Sequence, residues 1–308
     1  MQTKWMFLLV AALWFAGCTT APVEPAKSVA AERPVTSRSV LPSLTQASIT
    51  RFNEPHYVAI DPARDRADAP LVLFMAGTGG KPREMAFFPA LVRAGHRVIS
   101  ITYNTGEAIQ QVCPANPDPE CAGKARQKRL YGVITIDVID DAPQDAIVPR
   151  LVWLLIYLDR EFPLERWNRF LANDNIDWRR VVVTGQSQGA GMAAYLAKEH
   201  SVARAVLFSS PWDSYGGKGG QLPALAPWLS RPSATPASRW YGAYHGKENT
   251  APLIARAYAA LGIPAANVCV WTAEPANANG PNPYHGVGIS RINSPENFAF
   301  MFGLDEGK

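Results

Sequence analysis

Gly185-Gln186-Ser187-Gln188-Gly189 sets a serine between two glycines at a spacing that suits nucleophilic chemistry. Val181-Val182-Val183 before it reads as a buried strand. Ala190 to Lys198 after it reads as a helix, with Met192, Ala193 and Leu196 on one face. A serine in such a sharp strand-to-helix turn stands at the carboxyl edge of a sheet, with a helix N-terminus pointing at it. Side chains two before and two after the serine would strike the neighbouring strand and helix, and glycine at 185 and 189 removes that conflict. The bland alternative is an ordinary turn in which Ser187 caps the helix.

A serine hydroxyl attacks only once a base takes its proton and amide donors receive the charge that develops on the substrate oxygen. Five histidines are candidate bases: His56, His96, His200, His245 and His285. A glycine-rich run, Ala76-Gly77-Thr78-Gly79-Gly80-Lys81-Pro82, offers backbone N–H groups.

The elements that must position these groups alternate between strand and helix, the pattern of a mostly parallel sheet in the α/β class. Strands are expected at Tyr57–Ile60, Pro70–Met75, Arg97–Tyr103, Ala203–Phe208, Arg239–Tyr244 and Val268–Trp271. Helices are expected at Met85–Ala94, Ile147–Leu158 and Ala251–Leu261, with a last one opening at Ser294-Pro295. Asn104 to Leu130 reads as an irregular insert. Within it Cys113 and Cys121 bracket a polar loop and are expected to form a local disulfide. Cys269 lies in an apolar run and reads as a buried free thiol.

From about Tyr57 to Leu304 the chain resembles the α/β-hydrolase superfamily in its esterase and lipase branch. That resemblance implies a central sheet with helices on both faces and a chain order of serine, acid, histidine. His56 and His96 come too early for that order, and His200 ends the helix after Ser187, where a structural role fits better. His285, in a loop after the last strand, stands where the superfamily carries its base, with His245 as runner-up. The resemblance makes Gln188 one oxyanion-hole amide and Thr78 the other, with Gly79 next. A phosphate-cradling loop is the weaker reading of that run, because no Gly-Lys-Ser/Thr follows. For the acid, Tyr244-His245-Gly246-Lys247-Glu248-Asn249-Thr250-Ala251-Pro252 resembles the usual stretch with one residue deleted and points to Glu248. Asp213, one strand earlier, resembles the arrangement of some lipases of this fold. The acid stays open between the two. The machinery implied needs no metal and no organic cofactor.

Pro211 to Ser238 is long for a connection between strands and carries Trp212, Leu222, Leu225, Trp228 and Leu229. It reads either as the wall of an apolar acyl pocket or as a seal over the core. The formal charge of +4 is small and scattered, so nucleic-acid binding has no support.

Lys4 followed by the apolar run Trp5 to Phe15 reads as a signal peptide. Phe15-Ala16-Gly17-Cys18 is similar to a bacterial lipobox, with Phe15 in place of the usual leucine, and makes Cys18 the lipidation site. Residues 19–50, rich in Pro, Ala, Ser and Thr, read as a flexible tether, and residues 51–308 as one large domain. The expected place is the cell envelope, as an outer-membrane lipoprotein facing the periplasm or the exterior. The expected function is carboxylic ester hydrolysis through an acyl-enzyme on Ser187, with a small-molecule ester carrying an apolar acyl group as substrate. Acyl transfer, thioester cleavage and peptide cleavage share this machinery, and a non-catalytic envelope lipoprotein is the reading from another class.

Overall fold

In the computed structural model, residues 35–216, 223–275, 282–290 and 295–304 are described. Eight strands form one sheet: β1 (Thr36–Val40), β2 (His56–Ile60), β3 (Leu71–Met75), β4 (Arg97–Ile101), β5 (Val181–Gln186), β6 (Arg204–Phe208), β7 (Trp240–His245) and β8 (Val268–Trp271). Their order is β1-β2-β4-β3-β5-β6-β7-β8. β2 runs antiparallel to β1 and β4, and every pairing from β4 through to β8 is parallel. This is the strand order of the α/β-hydrolase fold. Ser187 follows β5 in the middle of the sheet, beyond the carboxyl ends of its parallel strands, where open α/β sheets bind ligands.

Alternation along the central strands explains why they read as unbroken apolar runs. Leu71, Leu73, Met75, Val181 and Val183 pack into one core, and Val72, Phe74 and Val182 into the other. Helices α2 (Cys121–Tyr131), α3 (Ile147–Glu161), α4 (Gln188–Glu199) and α5 (Ala251–Ala260) cover the first face, through residues such as Leu151, Leu154 and Met192. Helix α1 (Phe88–Arg93) and the C-terminal α7 (Pro295–Phe302) cover the second through Phe88, Leu91, Phe298 and Met301. A short helix α6 (Val287–Ser290) lies between β8 and α7.

Three expectations need correction here. Residues 36–40 are not tether: β1 pairs with β2 from Thr36↔Ile60 to Val40↔His56. It is an edge strand whose first residues face solvent, so its sequence carries no apolar alternation to betray it. The insert 104–130 is not irregular throughout, because α2 begins at Cys121 and ends on Gly132 in the left-handed conformation, φ 75°. Its charged sequence sets two arginines and two lysines among small core residues, and both arginines, Arg126 and Arg129, are fully buried. Finally, Cys269 is buried but not a free thiol; no described cysteine is free. Cys113 and Cys121 are joined by a disulfide. The signal-peptide and lipobox readings, and residues 19–34 of the tether, lie outside the described residues, as does Ser294 at the start of α7.

Candidate active site

Ser187 sits at the N-cap of α4 with φ 55° and ψ −123°, yet its side chain makes no capping hydrogen bond. A non-glycine residue held there stores roughly 1–3 kcal/mol of strain, which the packing around it must sustain. The packing is tight. A Cβ on Gly189 would lie 2.0 Å from the Met75 carbonyl oxygen, and one on Gly185 would lie 2.5 Å from the Gly189 carbonyl carbon. β3, β5 and α4 thus converge at a point that admits no side chain at either glycine. The Ser187 N–H donates to the Phe208 carbonyl at 2.9 Å, which ties the turn to the end of β6.

His285 comes to this turn from the loop after β8. The Gln186 side-chain amide donates to the His285 carbonyl at 3.4 Å, so the residue before the serine holds the histidine's backbone. Trp212 packs edge-to-face on the imidazole, ring centroids 5.4 Å apart. His285 Nδ1 lies 2.8 Å from Glu248 Oε2. The Glu248 side chain is fully buried while the imidazole keeps 21% exposure. The other carboxylate oxygen, Oε1, accepts from the Ser209 hydroxyl at 2.7 Å and from the His245 N–H at 2.8 Å. Those two donors turn the carboxylate so that Oε2 is left for His285.

Asp213 does not reach this pair. It is fully buried and bound at both oxygens by Arg126, Oδ2 to Nε at 2.5 Å and Oδ1 to Nη2 at 2.6 Å. The Trp228 indole donates to the same Oδ2 at 2.8 Å. His245 is likewise spent: the Lys247 N–H donates to its Nδ1 at 3.0 Å, and its Nε2 lies 3.1 Å from the Ala273 carbonyl. Its ring stacks on Tyr284, the neighbour of His285, at 4.6 Å. His200 lies against Trp178 and Tyr131, and His96 against the Pro70 carbonyl, away from the turn. Burial, with Arg150 nearby, pushes the His56 imidazole down to about 3.

The glycine-rich loop after β3 meets the serine at Gly77, where a Cβ would stand 3.1 Å from that of Ser187. The Gly79 N–H donates to the Thr105 carbonyl at 2.9 Å, and the Thr105 hydroxyl donates to the Gly80 carbonyl at 3.1 Å. Gly79 therefore has no amide to offer a substrate in this conformation. The Thr78 N–H makes no hydrogen bond among the described residues, and Gln188 begins α4, where the first amides have no partner within the helix. Gln188 is itself fully buried, and its side-chain oxygen accepts from the Ile109 N–H at 3.1 Å.

A cavity of about 940 Å³ opens beside this loop, walled by residues 76–81, Phe74, Met85, Phe87, Gln186, Gly286 and Ile289 among others. It lies on the α1 side of the site. The pocket reading of Trp228 is corrected: its ring is 1% exposed, tilts against Tyr195 and seals the core over α4. Trp212, half-buried on His285, is the one tryptophan of that segment at the site. Among the described residues no group of His, Cys, Asp or Glu is placed to hold a metal ion. Ser209, Thr105 and Arg126 are contributions that reading the sequence misses, since nothing in their local sequence marks their partners.

No protein-family model matches the chain, and no curated protein matches it. It is similar to solved structures at low identity. Esterase 2 of Thermogutta terrifontis, phosphoramylated by tabun, is 14% identical over 88% of this chain and 97% of that one, with a TM-score of 0.44. A tributyrin-phosphonate-inhibited esterase B of Lactobacillus rhamnosis is 14% identical over 88% and 84%, with a TM-score of 0.44. TT1662 of Thermus thermophilus is 14% identical over 84% and 97%, with a TM-score of 0.41. The fold assignment rests on the strand order.

Proposed function

We propose that the chain is a serine hydrolase of carboxylic esters that works through an acyl-enzyme on Ser187. The observation that carries this reading is the bond of His285 to buried Glu248, on a loop tied by Gln186 to the strained serine turn. In this mechanism the His285 Nδ1–H donates to Glu248, which fixes the tautomer with Nε2 as the base. Nε2 takes the Ser187 proton as Oγ adds to the ester carbonyl. The Gln188 and Thr78 amides receive the oxyanion. The imidazolium then protonates the departing alcohol, and water repeats the sequence to free the acid. Glu248 stabilises the imidazolium through a carboxylate already oriented by Ser209 and the His245 amide. The floor of Phe74, Met85, Phe87 and Ile289 suits an apolar hydrocarbon portion of the substrate.

The experiment is Ser187→Ala with nitrophenyl esters of graded chain length. Loss of roughly 10⁴-fold or more in kcat, in a protein with unchanged circular dichroism, is expected. A fluorophosphonate probe should label wild type at Ser187 and leave the variant unlabelled. Near-wild-type turnover in a folded Ser187→Ala protein would end the proposal.

We also propose that the chain is exported and anchored through a lipidated Cys18, in the envelope of a bacterial cell. No described helix is long and apolar enough to cross a membrane. Cys18→Ser should move the protein from the membrane to the soluble fraction, and an unchanged distribution would discard the lipobox.

A further inference from the structure

Residues 76–80 include three glycines, so this loop has little stiffness of its own. Amides that receive an oxyanion act only when they are held in place before the reaction. One neighbouring segment supplies the hydrogen bonds that hold the loop. The Tyr103 hydroxyl donates to the Ala76 carbonyl. The Thr105 carbonyl accepts from the Gly79 N–H at 2.9 Å, and the Thr105 hydroxyl donates to the Gly80 carbonyl at 3.1 Å. Within the loop the Gly80 N–H closes on the Gly77 carbonyl at 2.9 Å. The chain is thus pinned on both sides of Thr78.

The segment that pins it is anchored in turn. Asn104 is buried, and its side-chain amide donates to Asp141 and, at 2.9 Å, to Glu107 Oε2. Its side-chain oxygen accepts from the Gly106 N–H at 2.9 Å. Arg129 of α2 joins the same two acids, with Nε 2.8 Å from Asp141 Oδ2 and Nη2 3.2 Å from Glu107 Oε2. Further along, the Ile109 N–H donates to the Gln188 side-chain oxygen at 3.1 Å. One stretch, residues 103–109, therefore bonds both to the glycine-rich loop and to Gln188.

We propose that Tyr103 and Thr105 are positioning residues for the oxyanion hole, fixing the Thr78 amide through the loop on either side of it. This rests on the esterase reading of Ser187 and adds the residues that set the geometry of its transition state. Both act through the loop, so their loss falls on the developing charge, and on kcat rather than KM.

The test uses Tyr103→Phe and Thr105→Val, which remove one hydroxyl each and keep the shape of the side chain. Each should lower kcat on a nitrophenyl ester by ~10-fold or more, with KM within about twofold of wild type. Thr105→Ser keeps the hydroxyl and should recover most of the loss. Thr105 is half-buried, so Thr105→Val decides the matter should Tyr103→Phe not fold. A trifluoromethyl ketone, whose carbonyl adds the Ser187 oxygen and becomes an oxyanion, reads the same geometry at equilibrium. Its Ki should rise by the factor by which kcat/KM falls. The pH profile of kcat/KM should keep its wild-type midpoint, because the His285–Glu248 contact is untouched. Rates are counted per Ser187 titrated with the fluorophosphonate, so a loss of folded protein does not enter them. A rise in KM at constant kcat, an unchanged ketone affinity or a shifted pH midpoint would overturn the proposal and leave ester hydrolysis standing. Near-wild-type turnover in Ser187→Ala would remove the esterase reading itself, and this proposal with it.

Discussion

Glu248 carries two carboxylate oxygens, and the fold uses them differently. One is held by Ser209 and a backbone amide, and the other meets His285. Asp213 has both of its oxygens closed by Arg126 and Trp228. The two acids should therefore fail in different ways when neutralised. Glu248→Gln is expected to lower kcat by about 10³- to 10⁴-fold, as loss of the orienting carboxylate does in other triads, with little change in Tm. Asp213→Asn leaves the Arg126 charge buried without its partner, which costs about 3–5 kcal/mol. At 2–4 °C per kcal/mol for a domain of this size, Tm should fall by roughly 6–20 °C while the remaining folded protein keeps most of its kcat. Parallel rate and melting measurements on the two variants separate these outcomes. If Asp213→Asn took the larger loss in kcat, the proposed role of Glu248 would be wrong.

At the scale of elements, the site depends on how closely β3, β5 and α4 approach. Gly189 and Gly262 separate steric exclusion from backbone conformation. Gly262 has φ +75° with open space where a Cβ would go, so Gly262→Ala meets only the left-handed cost of about 1–2 kcal/mol. Its Tm should drop by a few degrees, roughly 2–8 °C, with activity unchanged. Gly189→Ala drives a Cβ to 2.0 Å from the Met75 carbonyl, and backbone on both sides must move. A melting shift several times larger is expected, with loss of probe labelling at Ser187. A Gly189→Ala protein that melts like Gly262→Ala and labels normally would show that the turn tolerates separation of strand and helix.

The whole molecule carries buried neutral imidazoles, and these set its response to acid. Burial lowers His96 and His200, and burial with Arg150 holds His56 at about 3. Between about pH 6.5 and pH 3 the unfolded chain binds a proton at position 56 that the folded one refuses. Stability at this site is complete above that window and is lost as pH falls through it, by about 1.4 kcal/mol per pH unit. His56 Nδ1 accepts from the Thr102 N–H at 2.9 Å, a contact an asparagine oxygen can imitate. Denaturant titrations of wild type and His56→Asn from pH 7 to pH 4 should therefore converge, the wild type losing stability more steeply. Parallel lines would mean that His56 titrates normally in the folded protein.

Local spacing determined a good deal of this protein by itself. Apolar runs located the strands β2 to β8 to within three residues at either end, and glycine at 185 and 189 marked the strained turn. Such features are legible because strand, turn and helix answer to neighbours a few residues away. β1 escaped because an edge strand with a polar face has no such signature. What only the tertiary structure decided concerns partners far apart in the chain. Asp213 and Glu248 looked alike in sequence until Arg126, 87 residues before Asp213, took both of its oxygens. Thr78 and Gly79 were neighbours in one loop until the Thr105 carbonyl took the Gly79 amide. Trp228 could line a pocket or close a core until Asp213 accepted its indole N–H. A buried polar group must be satisfied, and its satisfier can come from anywhere the fold brings close. Local sequence therefore says which groups can do chemistry, and the fold says which of them are already spoken for.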